Sequence, residues 1–279
     1  MAGVNEVTLS PLFICDSQVH APDGPTKTRT HGIAEEQLLL EMAAAGVQRA
    51  VIIPLTGVGS VVDHQPSLQM AERQPHRFAV MGVPNVAERH IGEQQLRSWR
   101  SEPNIRGIRI SFVRDPNRSL LISRKLDWLW NLAGEQHLPI MVNAPDLLAE
   151  VGLVAQRFGG LRVIVDHMGL APYVKYTDLG DVTQSIIALA GHPNIAIKLS
   201  SLPSSVDEAY PCRSLHAPLK RVIGAFGANR TFWGSDLTRL PCSYYQCVTM
   251  FTEELAFLSP EEKEWIMGRG ICSWLAWPY

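Results

Sequence analysis

Eight short β-rich runs, each followed by a helical stretch, predict a single α/β domain closed as a (β/α)8 TIM barrel. Three observations carry that reading. Runs and helices alternate from one end of the chain to the other, which is the pattern of a parallel sheet. The 279 residues exceed an ordinary domain but suit a barrel, which commonly takes about 250 residues as one unit. The first run leads into Ser17-Gln18-Val19-His20-Ala21-Pro22, with none of the glycines of the phosphate loop that opens many open doubly wound sheets.

The elements follow in order. Leu12–Asp16 reads as the first buried strand, and Ala34–Ala45 as a helix stopped by Gly46 at the position after its last turn. Ala50–Leu55 is the second strand. After an interruption and a second helix, Phe78–Val83 is the third. Helix Ile91–Ser101 leads into Gly107–Phe112, where apolar and polar residues alternate. A single periodic helix is expected over Leu121–Glu135, then strand Pro139–Asn143, then helix Asp146–Phe158 with Asp146 as its N-cap. Arg162–His167, helix Val182–Gly191, Ile195–Ser200, helix Leu215–Phe226 and Thr231–Asp236 complete the strands. Tyr244–Phe257 and Pro260–Leu275 close the chain as helices. No repeat or low-complexity linker marks a boundary, so residues 1–279 form one domain.

Composition narrows the function. Hydrophobic residues make up 46% and charged residues 19%, enough for a well-filled core. The formal net charge is −2 and no basic run is interleaved with aromatics, so a nucleic-acid face is not expected. No apolar run approaches the roughly 18 to 20 residues of a membrane span. Met1–Pro11 carries Glu6 and lacks the basic-then-apolar layout of a signal peptide. The five cysteines are irregularly spaced, with no CxxC, which fits a reducing cytoplasm better than a disulfide framework. The expected partner is a small molecule.

In a barrel the chemistry sits where the strands end and in the loops just beyond. Strand one runs into His20 through Gln18; strand four carries Arg109 and Ser111; strand five ends in Asn143. Strand six ends in Asp166-His167, strand seven in Lys198 and Ser200, strand eight in Ser235-Asp236. Side chains alternate across a strand, so Arg109 and Ser111 should point inward while Ile108 and Ile110 pack on helices. The same parity puts Ala196, Lys198 and Ser200 inward, and sets Ile164 and Asp166 on one face with Val163, Val165 and His167 on the other. Asp16 is expected to orient the first loop by accepting backbone N–H bonds. Tyr244, Tyr245 and Arg239 follow strand eight and are candidates for substrate contact. The remaining histidines default to the surface, with His31 or His64 able to line a loop. Cys242 and Cys247 read as small buried residues. Pro22-Asp23-Gly24-Pro25 and Gly57-Val58-Gly59 are candidate lid or pocket-wall segments.

The runs Ile14–His20, Gly107–Ser111, Val165–Gly169, Ile197–Ser200 and Phe232–Asp236 together resemble the amidohydrolase superfamily, in its amidohydrolase-related branch of aromatic-acid lactonases, sugar lactonases and decarboxylases. The resemblance spans nearly the whole chain. That family's first-strand pattern is Asp-x-His-x-His with both histidines on a divalent metal; here Gln18 stands at the first and His20 at the second. Asn143 stands near the place of a metal-binding histidine. His167 matches the strand-six histidine and Asp236 the water-activating aspartate. The resemblance implies one of two sites. In one, a divalent metal, zinc foremost, is held by His20, His167 and Asp236. In the other there is no metal: Asp236 acts as general base while His20 and His167 polarise a carbonyl. It implies hydrolysis of a lactone or ester of a small aromatic-derived carboxylic acid. Arg109, Asn143, Gln18, Lys198 and Tyr244 are the residues expected to bind substrate, Arg109 by a bidentate grip on a carboxylate. A non-oxidative decarboxylase and a non-catalytic binding barrel are the alternatives. The Trp-rich tail, Trp265, Trp274 and Trp277, is expected to pack on the barrel or on a partner subunit, compatible with a homodimer.

Overall fold

The computed structural model describes residues 12–21, 32–54 and 62–279. The eight strands are β1 Cys15–Val19, β2 Arg49–Ile52, β3 Phe78–Gly82, β4 Ile105–Ser111, β5 Ile140–Asn143, β6 Val163–Val165, β7 Ile195–Ser200 and β8 Thr231–Gly234. They pair in sequence order, each parallel to the next, as a (β/α)8 barrel requires. The helices are α1 Glu35–Ala45, α2 Gln65–Arg73, α3 Arg89–Trp99, α4 Asn117–Ile122, α5 Asp127–Glu135, α6 Leu148–Arg157, α7 Gly180–Ile187, α8 His216–Phe226, α9 Tyr244–Thr249, α10 Pro260–Glu264 and α11 Gly270–Trp274.

Each strand has two faces, and the residues on them segregate into two cores. Ala50, Ile52, Val80, Ile108, Ile110, Val142, Val163, Val165, Ile197 and Leu199 face outward into the large core shared with the helices. Val51, Ala79, Met81, Met141, Ile164, Ala196 and Phe232 fill the barrel interior, where Ile271, Cys272, Leu275 and Trp277 join them. The alternation read from the sequence in strands four and seven is therefore the one found. The last turn of the chain enters from the N-terminal end of the strands. Arg49, at the start of β2, and Arg106, near the start of β4, donate to the carbonyls of Pro278 and Ala276.

Closure between the first and last strands depends on side chains and one glycine. Ser17 Oγ donates to the Trp233 carbonyl at 2.7 Å, and the Asp236 amide to the Gln18 carbonyl at 2.9 Å. A Cβ on Gly234 would lie 2.6 Å from Ser17 Oγ, so only glycine lets β8 come this close to β1.

Several boundaries differ from expectation, four of them instructively. The first strand lies three residues later than Leu12–Asp16, because its buried run continues through Ser17 and Gln18, polar residues the sequence reading gave to a loop. The expected helix Leu121–Glu135 is two helices, α4 and α5, with Arg124 between them at φ 59°. Asp146 does not cap α6; it sits at φ 61°, and the helix starts only at Leu148. Val182–Gly191 begins earlier, at Gly180, and tightens into a 3-10 turn after Ile187. The segments 22–25 and 57–59, and His31, lie outside the described residues. No helix among the described residues is long and apolar enough to cross a membrane.

Candidate active site

Three of the strand ends leave the β region by the same device. His167 after β6, Ser201 after β7 and Asp236 after β8 all have left-handed backbones, at φ 54°, 61° and 56°. For residues with a Cβ this conformation costs about 1–2 kcal/mol each, and such outliers gather where a site over-determines them. The turn has a concrete effect at His167. Strict alternation would send its imidazole outward with Val163 and Val165. The left-handed turn returns it to the mouth, where Nδ1 lies 2.9 Å from Ser200 Oγ.

Beneath these groups lies a layer of buried charge. Arg109 from β4, Asp166 just past β6 and Lys198 from β7 all point inward, one layer above Met141, Ile164 and Ala196. Asp166 takes Arg109 Nε at 3.2 Å and Lys198 Nζ at 2.8 Å. Lys198 Nζ has two further acceptors, Gln18 Oε1 and Met141 Sδ. Three acceptors around one nitrogen match the three protons of an ammonium. Burial pushes the Asp166 carboxyl up, but the charges of Lys198 and Arg109, joined by His167 only at the low pH where its ring is protonated, outweigh it and hold the acid far below the usual carboxylate range.

The protons on His20 follow from this frame. Its Nδ1 lies 2.8 Å from the Ile53 carbonyl, a pure acceptor, so Nδ1 carries the hydrogen. Because Lys198 claims Oε1 of Gln18, the amide must turn its NH2 to His20 Nε2, 3.3 Å away. Burial lowers the His20 pKa. The ring is then neutral, with a bare Nε2 lone pair, and has no proton to offer a carbonyl oxygen. The sequence reading had His20 and His167 polarising the carbonyl together, and the geometry separates them. His167 is also driven neutral, with burial pushing it down to about 4. Its partner Ser200 can donate to Nδ1, which leaves Nε2–H free to donate.

Asp236 completes the group. His20 Nε2 is 3.4 Å from its Oδ1, and Arg239 Nη1 is 3.5 Å from its Oδ2. Among the described residues neither carboxylate oxygen has a hydrogen-bond partner at normal length. Burial raises its pKa, but at the low pH where the carboxyl titrates the imidazoles of His167 and His20 are protonated, and with Arg239 they more than offset burial and lower it. A small, partly open pocket lies beside these residues, lined by His167, Tyr173, Ser200, Ser201, Ser204 and Arg239 among others.

The other expected site residues divide. Asn143 is buried at the end of β5, and among the described residues its Oδ1 has no partner. Among the described residues Arg109 bonds through Nε, to Asp166. Gln18 and Lys198 are fully buried and bonded to each other. Tyr244 is buried with its hydroxyl donating to Asp16 Oδ2 at 2.7 Å, behind the mouth rather than in it. Asp16 is wholly buried in β1. It also accepts from the Ser235 amide at 2.8 Å and the Gln18 amide at 3.0 Å, the orienting role expected of it. Cys247 is buried as expected, and Cys242 partly so.

The sequence reading left Asp166 and Ser200 without a role and missed the serines after β7. The parity of β6 was the available signal for Asp166, since it set Asp166 on the same face as Ile164, which the structure turns inward. Nothing in the sequence marked Ser201 and Ser204.

A zinc site usually needs three protein ligands around one point. Among the described residues no three of His, Cys, Asp and Glu are so arranged. Gln18, one of the two neutral amides expected to help, gives its oxygen to an ammonium, and Asn143 offers only a neutral amide oxygen. The residues present do not fit a divalent ion.

A family model described as amidohydrolase matches residues 19–269. The L-fucono-1,5-lactonase of Burkholderia ambifaria is 26% identical, over 83% of this chain and 81% of that protein. An amidohydrolase from Burkholderia multivorans, crystallised with bound HEPES, superposes with a TM-score of 0.80. Its identity is 19%, and the match covers 95% of this chain and 100% of that one. An amidohydrolase from the same organism with bound zinc gives a TM-score of 0.74 at 19% identity, covering 87% and 88% of the two chains. At such identity the two crystal structures speak for the fold.

Proposed function

The chain belongs to the amidohydrolase family and is a hydrolase, and from that premise we propose that it opens a lactone ring by adding water to the carbonyl. One observation carries the reading. Asp236 is a buried carboxylate whose pKa is lowered and whose oxygens, among the described residues, have no hydrogen-bond partner of ordinary geometry; it is set between the bare Nε2 of His20 and the guanidinium of Arg239.

Water held there donates one proton toward Asp236 and the other toward His20 Nε2. Its lone pairs then face outward to the substrate. Asp236 takes the first proton as the oxygen–carbon bond forms. His167 Nε2–H, backed by Ser200, donates to the carbonyl oxygen as negative charge builds on it. The ring C–O bond then breaks, the proton held by Asp236 passes to the leaving oxygen, and the product is a hydroxy acid. Arg109 and the Asn143 amide, buried near the C-terminal ends of β4 and β5, would hold the substrate.

The cavity lining favours a hydroxylated lactone over the aromatic-derived acid of the first expectation. Ser204 Oγ donates to the Ser201 carbonyl at 2.7 Å, and Ser205 Oγ to the Leu202 carbonyl at 2.7 Å. With those hydrogens committed, the oxygens present lone pairs, which suit the O–H donors of a polyol and repel a second carboxylate. The named activity of the Burkholderia ambifaria relative agrees with this.

The test is a panel of five- and six-membered sugar lactones beside an aromatic pyrone acid and an aromatic carboxylic acid, followed by acid release and by carbon dioxide. The expected result is acid release from sugar lactones. Asp236→Asn should lower kcat by about 10²- to 10⁴-fold with an unchanged circular dichroism spectrum. Carbon dioxide release, or an Asp236→Asn enzyme within tenfold of the parent, would overturn the reading.

A further inference from the structure

The position two residues before His20, at the end of β1, is held by Gln18, and Gln18 is itself held by a cation. Lys198 is 0% exposed, and its ammonium is fixed by Asp166, Gln18 and Met141. We infer that Lys198 is a built-in cation in this pocket: it locks the Gln18 amide onto His20 and denies the cluster of His20, His167 and Asp236 to a divalent metal.

Three observations support this. A fixed charge next to Gln18 Oε1 turns that oxygen away from any ion held by His20. A second cation, Arg109, shares Asp166 with Lys198, so one carboxylate faces two positive groups and leaves the layer with surplus positive charge. Both imidazoles feel it: the charges of Lys198 and Arg109 each disfavour a further positive charge on His20 and on His167. A doubly charged ion at the same place meets the same repulsion, doubled, in surroundings that screen it poorly. The ammonium also does part of what an ion would do. By fixing Gln18 it fixes which ring nitrogen of His20 is bare, and so which face of the water site accepts a proton.

The inference uses the same pocket as the lactonase proposal but not the role of Asp236 as base. Its test reads bound metal rather than turnover. Zinc would be measured by elemental analysis after equilibrium dialysis, with cobalt(II) absorbance reporting an imidazole-ligated ion. Four proteins are compared: the parent, Gln18→His, Gln18→His with Lys198→Met, and that pair with Asp166→Asn added to keep the buried charge balanced.

The parent and Gln18→His should bind zinc weakly. The two proteins lacking Lys198 should gain about 10- to 100-fold in affinity, the size of effect that groups just outside a metal's ligands exert, and should show the cobalt spectrum. If the double variant fails to fold, the charge-balanced one gives the answer. The inference is overturned if the parent retains stoichiometric zinc after dialysis. It is equally overturned if Gln18→His binds as tightly with Lys198 present as without it.

Discussion

The two ends of the barrel interior are built from the same strands, two residues apart, and have opposite chemistry. Toward the N-terminal ends, Met141, Ile164, Ala196 and Phe232 meet Ile271, Cys272, Leu275 and Trp277 in an unbroken apolar plug. Toward the C-terminal ends, the next inward residues on β4, β6 and β7 are Arg109, Asp166 and Lys198, followed by His167 and Asp236 at the mouth. Burying a side chain such as Trp277 stabilises the fold; burying an ion pair costs several kcal/mol of desolvation per ion before the attraction returns it. The lower half therefore supplies stability, and the upper half spends part of it on fixing protons and charges. The left-handed backbones of His167, Ser201 and Asp236 belong to the same expense.

The largest effect expected from this division is at the plug. Trp277 is 4% exposed, and the Arg49 guanidinium stacks on its ring 4.8 Å from the centroid. Trp277→Ala should cost about 3–5 kcal/mol of unfolding free energy, read from the urea midpoint. kcat/KM at 25 °C should stay within about twofold, the noise of a substitution remote from the reacting atoms. A variant that keeps its stability and loses its rate would break the separation between the two halves.

The mouth should declare itself in pH rather than in packing. His167 titrates near 4 when folded and near its ordinary 6.5 when unfolded, because burial excludes the charged ring. Between those values the unfolded chain binds more protons, so stability rises with pH through the window and is lost as pH falls from 6.5 toward 4. Each unit of displacement is worth about 1.4 kcal/mol. His20 is shifted in the same direction and adds to the slope. Asp16 works against it just above its ordinary 3.8, since burial pushes that carboxyl up despite its bonds to Ser235 and Tyr244. Urea midpoints at pH 7, 5.5 and 4.5, all inside ordinary working range, should fall in that order for the parent. They should fall less steeply for His167→Gln, which has no ring to protonate. Equal slopes would remove His167 from the buried neutral state argued for it.

The same division explains what the sequence disclosed. Alternation is a property of extended backbone, and where the strands stay extended it located the inward residues: Arg109 on β4 and Lys198 on β7 are where parity put them. It failed where the backbone leaves the β region. There it grouped His167 with Val163 and Val165, which face outward, because no residue in Asp166-His167-Met168-Gly169 announces a left-handed turn two residues before its glycine. The first strand was placed three residues early because Ser17 and Gln18 look like loop. Their burial depends on Trp233 and Lys198, each more than 170 residues away in the chain, with |i−j| of 216 and 180. Lys198 was read as charge at the mouth for a related reason. That Asp166, Gln18 and Met141 surround it is a fact of three other strands, invisible in the run Ile197-Lys198-Leu199-Ser200.

The smallest effect tests where the mouth ends. Tyr173 is 73% exposed, an unusual place for a large aromatic, and the Arg239 guanidinium lies over its ring at 4.5 Å. Arg239 in turn reaches Asp236, so the ring forms the outermost layer of a stack that ends on the carboxylate. An exposed cation–π contact is worth about 0.5–1 kcal/mol. Tyr173→Ala should therefore leave the unfolding free energy within about 0.5 kcal/mol, as for other surface changes. Releasing Arg239 should raise KM about two- to fivefold, the same energy expressed as binding, with kcat nearly unchanged because Asp236 keeps its imidazole partners. The split between KM and kcat is what separates the two possibilities. A fall in kcat alone would mean that Arg239 acts on the reacting carboxylate and not on the substrate. No change in either would place the boundary of the site inside Tyr173, at the serines after β7.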